Sequence, residues 1–352
     1  MIDLTRRTAL ASCLAAGLVG CATGRVRSDL PRPYRPGKSV SGTISLWGHG
    51  SYGGETEFME GLVEEWQDEF RSHHPEIEFE NCMYGTASAI GALYTGRGDI
   101  ALMGREIWPP EIDAYREVFG RDPFGVDIVT GSHDVRNKGY AITIFKHRSN
   151  PLKGLTLAEL DAIFGAECRR GLTPIRKWGD VGLGGDWRER SINVYGIDIS
   201  RGFARYVEEA VFLNGRIWNP AIRDFADLKG SKGGETDGGQ IMLDAMADDP
   251  SAIGYGGMLY SHPDLVPVPI SFGPGEPFVP QTYDTVRTRK YPLTRTITLY
   301  LNSGQNTEAK NVEFVRYLLS GNAQEAVFRH QPGYLPLTAT IAAEQRNKLE
   351  TI

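Results

Sequence analysis

The chain has 352 residues, 41% of them hydrophobic and 23% charged, a globular composition that excludes disorder, collagen and coiled coil. Thirty-eight Lys and Arg against 44 Asp and Glu give a formal charge of −6, which argues against a broad nucleic-acid or anionic-membrane surface. The length fits two domains, each with a core of its own, at roughly 100–200 residues per domain.

In chain order, the first element is an export signal. Arg6 and Arg7 precede an apolar stretch from Ala9 to Val19, too short to hold a protein across a bilayer. Leu18-Val19-Gly20-Cys21 resembles the bacterial lipobox, in which the cysteine thiol receives a diacylglycerol. Cys21 is then the lipidated first residue of the mature chain; a plain cleaved signal with an incidental cysteine is the alternative. The arginine pair resembles a twin-arginine signal, with Ala9 where Phe is common, so export by either route is compatible. Removing residues 1–20 takes away Arg6, Arg7 and Asp3 and changes the formal charge from −6 to −7. Residues 22–40, with Pro31, Pro33, Pro36 and five basic residues, read as a flexible tether. The expected location is the periplasm, with the lipid as the only membrane contact. Of the four cysteines, Cys82 and Cys168 remain, either paired across a hinge or, more simply, two separate buried thiols.

Ile44–Trp47 reads as a strand entering the glycine-rich run Gly48–Gly54. From Thr56 the apolar residues Phe58, Leu62, Trp66 and Phe70 recur every fourth position and predict a helix. The pattern repeats with a strand at 77–83, the loop Tyr84–Ser88 and a helix carrying Ile90, Leu93 and Tyr94. Residues 98–103 predict the next strand. A third instance joins a strand at 191–195 through Gly196–Ser200 to a helix with Phe203, Tyr206, Val207 and Val211. Such alternation predicts an α/β protein whose ligands sit beyond the carboxyl ends of the strands. Each of the three loops enters a helix N-terminus, where unpaired N–H groups and a partial positive charge suit an anion. Singly, each hydroxyl residue there is equally explained as an N-cap.

The order of segments carries a resemblance. Gly85-Thr86-Ala87-Ser88-Ala89-Ile90, shortly before Asp99-Ile100-Ala101, resembles the second anion-binding loop of the phosphate-binding, substrate-capture proteins of ABC importers. Leu160–Gly165 followed by Trp178, then Pro250–Tyr255, then Pro332–Leu337 are similar to later segments of that family, so the likeness spans roughly residues 42–340. It implies a two-domain periplasmic-binding-protein fold, type II-like, with mixed sheets flanked by helices and a hinged cleft that closes on the ligand. Domain I would comprise 41–140 and 285–352, and domain II 141–284. The implied ligand residues are Ser51 and Tyr52 in the first loop, with Thr56 as the rival to Ser51; Thr86, Ala87 and Ser88 in the second; and Ser200 with Arg201 in the third.

Two positions depart from the family. Its third-loop arginine falls near Tyr195 or Ile197 and is absent, which makes Arg201 the candidate replacement. The aspartate that accepts phosphate's proton falls at Gly104, followed by Arg105, and Asp198 is the acidic residue of the three loops able to take its place. A salt bridge is the alternative role for either arginine. Micromolar capture requires about −8 kcal/mol beyond an association cost of at least ~4. At ~1.5–3 kcal/mol per charge-assisted hydrogen bond, roughly five to eight donors must converge, so one loop alone is insufficient.

Enzyme motifs are missing: there is no Gly-x-Ser-x-Gly elbow, Walker loop, His-Glu-x-x-His or Cys-x-x-Cys. The seven histidines lack metal-ligand spacing, and His49 beside the first loop reads as a capping or exposed residue before a ligand contact. The glycine-rich run 230–239 reads as a rim of the cleft. No cofactor, metal or catalytic residue is expected. The sequence therefore predicts a monomeric, lipid-anchored receptor for phosphate or a similar oxyanion, serving an ABC permease. A lipid-anchored sensor or scaffold of the same fold is the alternative, and a phosphate-ester hydrolase is a more remote one. Phosphate-dependent melting, no anion response and turnover of a chromogenic ester would respectively distinguish the three.

Overall fold

The computed structural model describes residues 28–352 apart from 51–56, 137, 200–201, 227, 230–234, 303 and 305–306. Cys21, Ser51, Tyr52, Thr56, Ser200 and Arg201 lie outside the described residues, as does the centre of the glycine-rich run.

The first five-stranded sheet is built from β1 (Gly42–Gly48), β2 (Ile77–Cys82), β3 (Ile100–Met103), β4 (Phe124–Thr130) and the late strand β10 (Thr296–Leu301), in the order β2-β1-β3-β10-β4. β1 runs parallel to β2 and β3, whereas β10 is antiparallel to β3 and β4. The second sheet has β5 (Thr143–His147), β6 (Asn193–Ile197), β7 (Arg223–Phe225), β8 (Ala252–Gly256) and β9 (Leu265–Pro267), in the order β9-β5-β8-β6-β7. Here β6 is parallel to β7 and β8, and β5 is antiparallel to β8 and β9. Both sheets are mixed and flanked by helices, so the chain has the fold class expected of it.

The helical periods act as their spacing requires. In α1 (Glu57–His73) Leu62, Trp66 and Phe70 are fully buried, and the Trp66 indole donates to the Ala323 carbonyl at 2.9 Å. The short α2 (Ala89–Tyr94) buries Ile90 and Leu93. α3 (Pro109–Phe119) follows β3, and α4 (Leu157–Phe164) starts at a capping box in which Thr156 and Glu159 exchange hydrogen bonds. α5 (Gly202–Ala210) buries Tyr206 and Val207, α6 (Gly238–Ala247) begins after Asp237, and α7 (Tyr283–Arg287) precedes the return to the first sheet. The C-terminal helices α8 (Ala309–Leu318), α9 (Gly321–Arg329) and α10 (Ala339–Leu349) cover the first sheet.

Each sheet has its own apolar core: one centred on Ile44, Trp66, Phe70, Leu299 and Phe314, the other on Phe145, Phe164, Trp178, Tyr195 and Tyr255. The chain passes between the sheets after β4 and again before β10. The two crossings are bonded to each other, Gly131 N–H to the Arg295 carbonyl at 2.9 Å and Ile142 N–H to the Leu293 carbonyl at 3.0 Å. Gly131 lets the first crossing fold back on itself beside the second, since a Cβ there would lie 2.0 Å from the Gly139 carbonyl oxygen and 3.1 Å from that of Arg295.

The stretch read as a tether is docked from Asp29 onward. Tyr34 is buried, its hydroxyl 2.7 Å from Glu313 and 2.8 Å from His74 Nε2, and the Arg32 carbonyl accepts from Gly321 N–H at 2.7 Å. Proline and arginine content alone suggested a free segment; one buried aromatic with two polar partners holds it down. Cys82 and Cys168 are both free thiols.

Candidate anion site at the strand ends

The glycine after β1 shapes the site. Gly48 has φ 123°, and a Cβ on it would fall 2.2 Å from the Leu102 carbonyl oxygen, so only glycine lets β1 turn this close to β3. The turn is fixed on both sides: His49 N–H donates to the Leu102 carbonyl at 2.8 Å, and the Gly48 carbonyl accepts from Gly85 N–H at 2.9 Å. The first and second loops are thereby brought together at the carboxyl ends of parallel strands.

Thr86 opens the second loop. Its Oγ1 accepts from Gly104 N–H at 3.2 Å, which leaves the hydroxyl proton available to a ligand. Ala87 is exposed and next to it. Ser88 behaves differently: its N–H donates to the Gly85 carbonyl at 3.0 Å and its hydroxyl to the same oxygen at 2.8 Å. Both Ser88 donors thus stabilise the loop in this geometry. Arg105 grips Glu111 with two nitrogens, at 2.7 and 2.9 Å, donates to the Glu106 carbonyl and lies 4.8 Å from the centre of the Trp108 ring. Of its two readings, the geometry favours the salt bridge, which anchors the start of α3.

His49 is the residue that sequence reasoning undervalued. A Cβ on Gly104 would lie 2.3 Å from His49 Nδ1, so the imidazole fills the space where the resemblance puts a carboxylate; a side chain at 104 and this ring are mutually exclusive. Its Nε2 is 2.7 Å from the Tyr334 hydroxyl. Burial first, then the charges of Lys138 and Arg295, hold the His49 pKa down at about 4, so the ring is neutral at pH 7. Two features of the sequence carried this signal: a histidine directly after a strand-ending glycine, and a glycine where a side chain was expected.

The cations that depress His49 are themselves buried. Lys138, 6% exposed, sits 5.8 Å from the Tyr334 ring centre, and burial lowers its pKa. Arg295 is held by Glu106 through two hydrogen bonds of 2.9 Å. Burial opposes its charge, but Glu106 outweighs that and raises its pKa. Tyr206 of α5 lies under the Arg295 guanidinium, 5.5 Å from ring centre to Cζ, and donates to the Thr294 carbonyl at 2.8 Å. The helix that follows the third loop is thus brought to the first sheet's Glu106–Arg295 pair.

Asp198 stands at the end of β6, on the second sheet, 9% exposed and with φ 45°. Its N–H donates to the Phe225 carbonyl at 2.8 Å. That backbone conformation is uncommon outside glycine, asparagine and aspartate. Among the described residues no group of three or more His, Cys, Asp or Glu could hold a metal, and no helix is long and apolar enough to cross a membrane.

No protein-family model matches the chain. The "Phosphate-binding protein PstS" of Pseudomonas aeruginosa is 27% identical over 352 residues, covering 99% of both chains. "Protein SphX" of Synechococcus elongatus is 24% identical over 298 residues, covering 81% of this chain and 78% of that protein. Among solved structures, an ABC-type phosphate transport receptor from Vibrio cholerae aligns with TM-score 0.50 at 18% identity, covering 84% of this chain and all of that one. PstS from Borrelia burgdorferi aligns with TM-score 0.52 at 16% identity, covering 84% and 99%. These two likenesses concern the fold.

Proposed function

We propose, for a chain that belongs to the phosphate-binding protein family, that it captures phosphate or a closely similar oxyanion between its two halves and delivers it to an ABC permease. Proteins of this family are transport receptors, not enzymes. The observation that carries the reading is the convergence of Thr86, Gly104 and His49 at the strand ends with the buried cations Lys138 and Arg295. Cations taken out of water create a positive potential that a desolvated anion can use; burial first, and the charges of Lys138 and Arg295 second, keep His49 neutral beside it.

In this reading the halves 41–140 with 285–352, and 141–284, are the two jaws. Thr86 and the Ala87 N–H are ligand donors on the first, while Ser88 and Arg105 hold the loop and the start of α3 in shape. Ser51, Tyr52, Ser200 and Arg201 complete the donor set from loops one and three. Asp198 accepts the proton that phosphate retains near neutral pH and that sulfate lacks; leaving such an acceptor facing a fully ionised anion costs several kcal/mol. Calorimetric titration with both anions tests this. Wild type should prefer phosphate, and Asp198→Asn should narrow the gap at least about tenfold. Equal affinity for the two anions in wild type would replace the phosphate reading by a broader oxyanion receptor.

Lipid attachment at Cys21 holds the receptor to a membrane, in the periplasm, as a monomer. Cys21→Ser should abolish incorporation of labelled lipid precursor and release the protein into the soluble envelope fraction. Retention in the membrane pellet would assign the anchor to a partner or an uncleaved signal.

A further inference from the structure

Where the N-terminal segment docks on the C-terminal helices α8, α9 and α10 it leaves a concavity of about 470 Å³ lined by Arg32, Arg35, Arg316, Arg346 and Ser320. Arg316 is committed to Glu313 and Glu350. The side chains of Arg32, Arg35 and Arg346 have no hydrogen bond or ion pair among the described residues. Burial first, and then the charge of Arg32, push the Arg346 pKa down. Ser320 supplies an independent observation. It is 2% exposed and stands at the N-cap of α9, yet it makes no capping bond and its hydroxyl is buried without a partner. Buried polar groups in folded proteins are normally bonded, and this one lines the same concavity as four guanidinium groups.

We infer that this pocket is a second phosphate-group site, separate from the cleft and independent of the reading given to it, and that it takes a phosphate ester. Guanidinium groups bind phosphate oxygens in pairs through planar forks, and the Ser320 hydroxyl gains its missing partner on an ester oxygen. The volume exceeds what a single tetrahedral ion fills, so the occupant carries an organic portion. The shared chemistry is that of a glycerophosphate, either as a phospholipid headgroup or as the free ester. A headgroup is within reach: Arg32 is eleven residues after Cys21, at most roughly 40 Å of extended chain. The net negative charge of the chain opposes adsorption over a broad surface, whereas a pocket concentrates its cations at one point.

The test uses the exported chain carrying Cys21→Ser, so that no lipid of its own intervenes. Its probes are phosphatidylcholine vesicles with and without phosphatidylglycerol, and glycerol 3-phosphate in solution. We expect cosedimentation only with the phosphatidylglycerol vesicles, competed by glycerol 3-phosphate. It should be weakened about fivefold by Arg346→Gln and again by adding Arg32→Gln, from the surface worth of one basic residue. Binding of glycerol 3-phosphate without vesicle binding supports the same site with the free ester as its source. Arg32 is exposed and its substitution leaves the core untouched, so Arg32→Gln alone remains informative if Arg346→Gln fails to fold. The proposal is overturned if neither probe binds, if both arginine variants bind as wild type does, or if Thr86→Ala removes ester binding, which would assign it to the cleft.

Discussion

On the first sheet's side, Gly48, His49, Thr86 and Gly104 are tied to one another or to neighbouring strands by hydrogen bonds, and Arg295 is locked to Glu106. On the second sheet's side, Asp198 occupies a left-handed turn at the end of β6, held through its own N–H and that of Ile199, which donates to Asp224 at 3.2 Å. One wall is organised before any ligand arrives; the other offers an acidic residue on a strand-end turn. Preorganised donors avoid the cost of ordering at the moment of binding, so in the proposed function the first wall supplies affinity. In the proposed function the second supplies discrimination between anions that differ by a proton.

The largest effect should come from breaking the pair that organises the first wall. Arg295→Gln leaves the largely buried Glu106, its side chain 11% exposed, without its counter-charge and should cost about 3–5 kcal/mol in urea-induced unfolding. A loss below about 1 kcal/mol would mean that the wall does not depend on the pair, and the contrast between the two sides would lapse.

A pH titration of stability sharpens the same contrast. The His49 pKa is about 4 in the folded protein against about 6.5 in an unfolded chain. Between these values the unfolded state binds more protons, so stability is lost as pH falls from about 6.5 towards 4, by up to about 3 kcal/mol from this residue. His49→Leu should flatten that part of the profile relative to wild type. Identical slopes for the two proteins would mean that the imidazole is not held neutral by burial and the neighbouring cations.

Much of the fold could be read from residue spacing. The period of Leu62, Trp66 and Phe70 gave a helix whose buried face is the one observed, and the runs at 77–83 and 98–103 became β2 and β3. What spacing could not convey was which distant residues meet. Arg105 and Glu111 are six positions apart, and nothing in their interval distinguishes a ligand from a salt bridge. His49 and Tyr334 are 285 positions apart, and only the closing of β1, β3 and the C-terminal segment joins them. Burial of Lys138 and Arg295, which sets the potential of the site, depends on both chain crossings lying side by side. The docked N-terminal segment escaped for the converse reason: its composition is that of a linker, and the partners of Tyr34 are His74, just after α1, and Glu313 of α8.

The account rests on Thr86 facing a ligand rather than capping a helix, and calorimetric titration of Thr86→Ala with inorganic phosphate addresses this most directly. The variant should bind about 1–3 kcal/mol more weakly than wild type while its melting temperature without phosphate falls only slightly, since the one structural bond lost, from Gly104 N–H, costs about 1 kcal/mol and no buried packing is removed. Unchanged affinity, with the melting temperature lowered, would leave Thr86 with its Gly104 bond as its whole role and contradict the placement of the anion at this wall.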